Sequence, residues 1–113
     1  MILITHDLAV VADIADHVLV MYAGRILESA PAAELFRNPQ NPYTRALLGC
    51  TPDPSRRGAR LDSIPGLPPD QARLERNECP FSDRCPEVID RCRQDVPPFH
   101  SVGENHSSLC WVR

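Results

Sequence analysis

The chain of 113 residues contains no lysine; its twelve basic residues are all arginine. That absence removes the Gly-x-x-x-x-Gly-Lys-[Ser/Thr] loop, in which a lysine and backbone N–H groups hold nucleotide phosphates. None of the five glycines stands in such a pattern either. Long apolar runs are missing as well. The longest, Val18 to Ala23, is far short of the roughly 20 residues a membrane helix requires. The apolar start has no basic n-region and is broken by Asp7, Asp13 and Asp16, so it is not expected to act as a secretory signal. A net charge of −3 gives no electrostatic footprint for nucleic acid, so no nucleic-acid partner is expected. The chain reads as cytosolic, where cysteine clusters bind metal more often than they form disulfides.

What is present divides the chain in two. Ile2 to Thr5 is a short β-branched run, expected to be a buried strand, and it ends at His6-Asp7. Asp7 suits the N-cap of a helix from Leu8 to Ala15, whose apolar residues Leu8, Val11, Ala12 and Ala15 share one face. Val10 and Ile14 make its other side apolar too, so cover on more than one face is expected. His17 to Tyr22 has the continuous apolar character of an interior strand. Ala23-Gly24 provides a tight turn, and Arg25 to Glu28 returns as a strand. Pro31 fits a first helical turn, Ala32 to Arg37 a short helix stopped by Asn38-Pro39, and Pro42 to about Gly49 a second helix with Tyr43, Ala46 and Leu47 on one face. All twelve prolines lie from Pro31 onward. Thr51 to Glu78 therefore reads as an extended connector, with Arg56-Arg57 an exposed basic spot.

The tail carries Cys79-x5-Cys85-x6-Cys92-x17-Cys110. With so little periodicity the segment has little core of its own, and a disulfide pair, a zinc ion or an iron–sulfur cluster is expected to hold it. The spacing chooses none of these. Structural zinc usually draws on closer pairs, and ferredoxin-type cubane motifs are tighter too.

The stretch Ile2-Leu3-Ile4-Thr5-His6-Asp7-Leu8, followed by Val20-Met21-Tyr22-Ala23-Gly24-Arg25-Ile26-Leu27-Glu28, resembles the end of an ABC-transporter ATPase domain. The resemblance implies that His6 is the switch histidine, contacting the γ-phosphate of ATP from a strand's C-terminal edge. Asn38-Pro39-Gln40-Asn41-Pro42-Tyr43-Thr44-Arg45-Ala46-Leu47-Leu48 and Ile64-Pro65-Gly66-x-Pro68-Pro69 resemble the C-terminal extension of the oligopeptide/dipeptide branch, with Asn41 in place of the usual His before Pro-Tyr. Cys79-Pro-Phe81-Ser-Asp-Arg84-Cys85, Cys92 and His106-Ser-Ser-Leu-Cys110 match the cysteine pattern of that extension. The resemblance implies a [4Fe–4S] cluster held by Cys79, Cys85, Cys92 and Cys110, with zinc as the alternative and disulfide or free thiols behind both.

The fold class expected is α/β: the C-terminal edge of a P-loop NTPase (ABC ATPase) domain followed by a loop-rich, Cys-ligated extension. Residues 1–37 would be the ATPase remnant, 38–78 the helix and connector, and 79–113 the cysteine module. The first half reads as the trailing edge of a larger domain. Without the phosphate loop, the signature or the acidic end of Walker B, the chain is expected to be inactive alone. ATP and Mg²⁺ would belong to the full-length parent, an importer subunit for di- or oligopeptides or nickel complexes. Its partners would be transmembrane permease subunits, a second ABC ATPase subunit and, indirectly, a substrate-binding protein. Its place would be the cytoplasmic face of the membrane, or the cytoplasm if the fragment is free. The rival reading is a free-standing four-cysteine metal or iron–sulfur module with no nucleotide role. For the remaining residues simpler readings are preferred: Cys50 as a small buried apolar residue, His17, His100 and His106 as polar strand-end or surface histidines, Arg84 as an exposed arginine, and Trp111 as terminal packing.

Overall fold

A computed structural model describes residues 1–52, 62–70 and 77–113. Arg56-Arg57 lies outside the described residues. A helix α1 (Leu8–Ile14) leads into a hairpin of β1 (His17–Tyr22) and β2 (Arg25–Pro31), then α2 (Ala32–Arg37) and α3 (Pro42–Gly49). After the connector come a 3-10 turn (Asp90–Arg93) and a second hairpin, β3 (Phe99–Gly103) and β4 (His106–Leu109). All pairings are antiparallel and the strand order is β1-β2-β4-β3. The result is a small α/β unit in which the tail strand β4 lies directly beside β2 of the first half.

Several elements follow from local chemistry. The Asp7 carboxylate accepts from the N–H groups of Ala9 and Val10 and so caps α1. Ala23 and Gly24 have φ of 49° and 76°, the two positive values of a type I′ hairpin turn. The Asn41 side chain accepts from Tyr43 N–H, and Pro42 occupies the first turn of α3, where its missing N–H costs nothing.

Three expectations are corrected. Ile2 to Thr5 forms no strand, and Ile2 and Ile4 are more than nine-tenths exposed. A strand needs a neighbour for its N–H and C=O groups, and none of the described strands pairs with this segment. Helix α1 buries none of its residues, with Val10 and Ile14 exposed. Strand β1 has the expected bounds but sits at the sheet's edge. Val20 and Tyr22 face inward while Leu19 and Met21 stay more than half exposed.

The pairing of β1 with β2 shifts between Val20 and Met21: Val20 faces Glu28 while Met21 faces Ile26. Leu27 is the extra residue of this bulge, and a bulge turns successive side chains away from simple alternation. Leu27 and Glu28 are therefore both buried, at 1% and 0% exposure. Leu27 enters an aromatic core with Tyr22 and Phe81. Phe81 meets Tyr22 and Tyr43 edge-to-face, with ring centroids 5.4 and 5.2 Å apart, and the two tyrosines lie tilted to each other at 4.7 Å. Tyr43 joins this core to a second, smaller one of Val20, Ala30 and Leu35. Leu27→Ala should remove about 2–5 kcal/mol of stability, the usual cost of truncating a buried leucine. Urea unfolding followed by tyrosine and tryptophan fluorescence measures it, and a shift under a tenth of that range would place Leu27 outside the core.

Candidate functional site: a four-thiol cavity beside a buried polar junction

The tail reaches its cysteines by three routes. Cys79 opens a turn, where its N–H donates to Cys92 O at 2.8 Å. Cys85 closes the same turn, Cys92 rides on the 3-10 segment, and Cys110 follows the last residue of β4. All four line one cavity of about 20 Å³, walled also by Leu27, Asn41, Phe81 and Trp111. No disulfide joins them. Cys50, at the C-cap of α3, is half-buried and stands outside this cavity.

The surroundings favour the protonated form of Cys79, Cys85 and Cys110. Burial pushes Cys79 up to about 11, only partly offset by the Phe81 N–H, with the three other thiols adding to the rise. Burial likewise raises Cys85 against the Glu87 N–H, and Cys110 against the Val112 N–H. For Cys79, a folded pKa above the usual value of 9.0 means that the folded state holds the proton longer. Its contribution to stability is complete below about pH 9 and is lost as pH rises through about 11. In the reduced chain held in chelator, the urea midpoint should be flat from neutral pH to the lower limit of this window and fall across it. A midpoint that rises there would contradict the burial of Cys79.

Four thiols on one cavity match tetrathiolate ligation in number and kind. Among the described residues, however, no group of three or more His, Cys, Asp or Glu side chains is set to hold a metal ion as it stands. A cavity of about 20 Å³ is on the order of one small molecule or ion. The four thiols are gathered on one cavity.

Next to the cavity lies a buried polar junction. Glu28 Oε1 accepts from His106 Nε2 at 2.7 Å and from Gln40 N–H at 2.6 Å, and Oε2 from Asn41 N–H at 3.1 Å. Asn41 Nδ2 in turn donates to Leu27 O and Leu109 O, both at 3.1 Å, and reaches Ser108 Oγ at 3.4 Å. His106 is thus buried, at 2% exposure, rather than at the surface. No local signal in the sequence marks it: His106 shares a face of β4 with Ser108, and Ser108 meets Glu28 only through the pairing of β4 with β2.

Arg84 is likewise not a free surface group. Its guanidinium donates to Pro65 O at 2.8 Å, Ile64 O at 3.2 Å and Tyr22 Oη at 3.1 Å, tying the Ile64-Pro65-Gly66 motif to the aromatic core. Trp111 both lines the cavity and packs under Arg91, whose guanidinium lies 3.6 Å from the ring centroid. His100 bonds Pro98 O and Arg113 O at the end of the chain, and His17 bonds Ser29 Oγ at 2.8 Å. His6 sits on the exposed segment before α1 and is not part of the thiol cavity.

Residues 27–92 match the family described as the C-terminal region of the oligopeptide/dipeptide transporter. The chain belongs to this family. The oligopeptide/dipeptide transporter region starts at the Leu27 bulge and ends at Cys92, so it spans the junction's Glu28 and Asn41 and three of the cavity's four cysteines. Similarity to curated proteins runs further. A peptide import ATP-binding protein of Brucella ovis is 47% identical over 116 residues, covering 97% of this chain and 34% of its own length. The oligopeptide transport ATP-binding protein OppD of Mycobacterium tuberculosis is 48% identical over 110 residues, covering 96% and 18%. The dipeptide transport ATP-binding protein DppD of Escherichia coli is 40% identical over 111 residues, covering 97% and 33%. The chain thus spans about a third, or less, of the length of these relatives. No described helix is long and apolar enough to cross a membrane.

Proposed function

We propose that this chain is the C-terminal part of the ATP-binding subunit of an ABC importer for di- or oligopeptides, the parent coupling ATP hydrolysis to transport. Similarity to peptide import ATP-binding proteins over 97% of the chain carries this reading. Residues 1–37 then supply the end of the ATPase domain, 38–78 the extension's helix and connector, and 79–113 the cysteine module. ATP and Mg²⁺ bind in the full-length parent, whose phosphate loop and Mg²⁺ ligands lie outside these residues. The parent works at the cytoplasmic face of the membrane against transmembrane permease subunits and a second ATPase subunit. His6 is its phosphate switch.

Cys79, Cys85, Cys92 and Cys110 form a four-thiolate site for a [4Fe–4S] cluster, a reading supported by the matching cysteine pattern and the convergence of all four thiols. A cluster would supply one-electron chemistry or a structural brace; what the chain contributes is four sulfurs, an apolar wall and thiols that must release protons on ligation. Zinc is the second reading, since four thiolates would also serve it. The free-standing module has less support, because β4 pairs with β2 and the cysteine tail shares its sheet with the first half.

The test is ATP turnover by the full-length protein with and without its permease, the 113-residue chain serving as the inactive control. Turnover by the parent that the permease stimulates, and none by the chain, is expected. A full-length protein that binds no ATP would overturn the reading.

A further inference from the structure

The described surfaces and clusters offer one arrangement that the transporter reading does not use: the buried junction of Glu28, Asn41 and His106. Its members come from three places, the bulge of β2, the N-cap of α3 and the first residue of β4. Glu28 and His106 stand 78 residues apart in the sequence. All three are nearly inaccessible, at 0%, 2% and 2% exposure. A carboxylate so buried is tolerable only where donors surround it, and three do here: two backbone N–H groups and an imidazole.

The junction matters to the thiols because β4 has few other anchors on β2. The pairing of β4 with β2 covers only Ser108 opposite Glu28 and Ser107 opposite Ser29. On the inner side β4 is held by His106 at its start and by Asn41, which bonds Leu109 O at its end. Cys110 follows Leu109 directly, and Asn41 itself walls the cavity. The opposite wall, with Cys79, Cys85 and Cys92, belongs to another stretch of chain, fastened by the bond from Cys79 N–H to Cys92 O. Glu28 is thus one of the ties that set Cys110 relative to the other three thiols, beside Trp111 Nε1–H donating to Asp95 O at 3.3 Å and the Arg113–Glu87 ion pair at 2.6 Å on the far side of Cys110.

We propose that Glu28, Asn41 and His106 are positioning residues of the four-thiol site, holding β4 so that Cys110 faces Cys79, Cys85 and Cys92. This rests on the thiols acting as one site and is indifferent to which ligand they take. It also links the first hairpin mechanically to the thiol site, since Glu28 sits on β2 and bonds both His106 and Asn41, which hold β4.

The experiment is site-resolved alkylation of the reduced 113-residue chain in chelator, with iodoacetamide and peptide mass spectrometry, on wild type, Glu28→Gln, His106→Gln and the double variant. Each single variant should raise the rate at Cys110 about tenfold by local opening, because an unpaired buried group costs local stability. Cys50, outside the cavity, should change less than about twofold, and the double variant should resemble the singles because both break one link. An unchanged Cys110 overturns the proposal. So does a parallel rise at all five cysteines, which is general unfolding, and so do additive effects in the double variant. A cobalt(II) titration supplies the second readout. Wild type should show thiolate-to-cobalt charge-transfer bands at lower metal concentration than His106→Gln, with equal intensity at saturation. If wild type shows no such bands, the four-thiolate reading fails, and the site on which this proposal rests fails with it; changed cysteine rates would then report only the packing of β4.

Discussion

Cys92→Ser is expected to abolish metal loading of the purified protein, the largest single effect at the thiol site. Purified without oxygen, wild type should carry iron and sulfide and absorb broadly in the visible, whereas the variant should be colourless and hold less than about a tenth of the metal, one of four soft ligands being gone. Cys92 is the informative position because it is the most buried of the four thiols, at 5% exposure. Its carbonyl also receives the N–H of Cys79, so the two are fixed to each other before any ligand arrives. Serine is nearly isosteric and would keep that backbone bond, which separates loss of a sulfur from loss of structure. Cys50→Ser is the matched control and should load as wild type does. A colourless wild type with one zinc per chain would replace the cluster by zinc; full loading in Cys92→Ser would remove Cys92 from the ligand set.

His6→Ala in the full-length parent should lower kcat for ATP hydrolysis by about a hundredfold or more while nucleotide binding survives, as expected when a residue acting on the reacting phosphate is removed. The physical basis is local. His6 lies between Thr5, whose hydroxyl accepts from Asp7 N–H at 3.0 Å, and Asp7, which caps α1. His6 itself stands on an exposed segment directly before the helix cap, open to a ligand. Turnover assays with a parallel nucleotide-binding titration measure the split. Unchanged kcat would return His6 to an ordinary loop histidine, and loss of binding together with kcat would make its role uniform binding rather than the switch.

Local chemistry makes much of the fold legible. Asp7, the Ala23-Gly24 turn, Asn38-Pro39 and Pro42 mark element ends, and the bounds of β1, α2 and α3 follow from them. Caps and turns act over a few residues, so a sequence window contains all their terms. The apolar run of β1 overstates its burial, because a continuous run does not say which face a neighbour covers. The second hairpin escapes the sequence reading, although Gly103-Glu104-Asn105 offers a turn signal and Asn105 indeed has a φ of 52°. Its strands are short and polar, and β4 gains its place from β2, far back in the chain.

The candidate site divides in the same way. By itself the sequence showed four cysteines in an order that identified their kind of extension, and the lack of the lysine and glycines that a phosphate loop requires. It determined the family as well, because motif order survives without any knowledge of contacts. Only the tertiary structure decided that the four thiols face one cavity, that Leu27 and Glu28 both turn inward at a bulge, and that His106 is a buried partner of Glu28. These are long-range facts. Burial and hydrogen-bond partners at such separations depend on which strands meet, and a residue's type fixes what it can bond but not what the fold brings within reach.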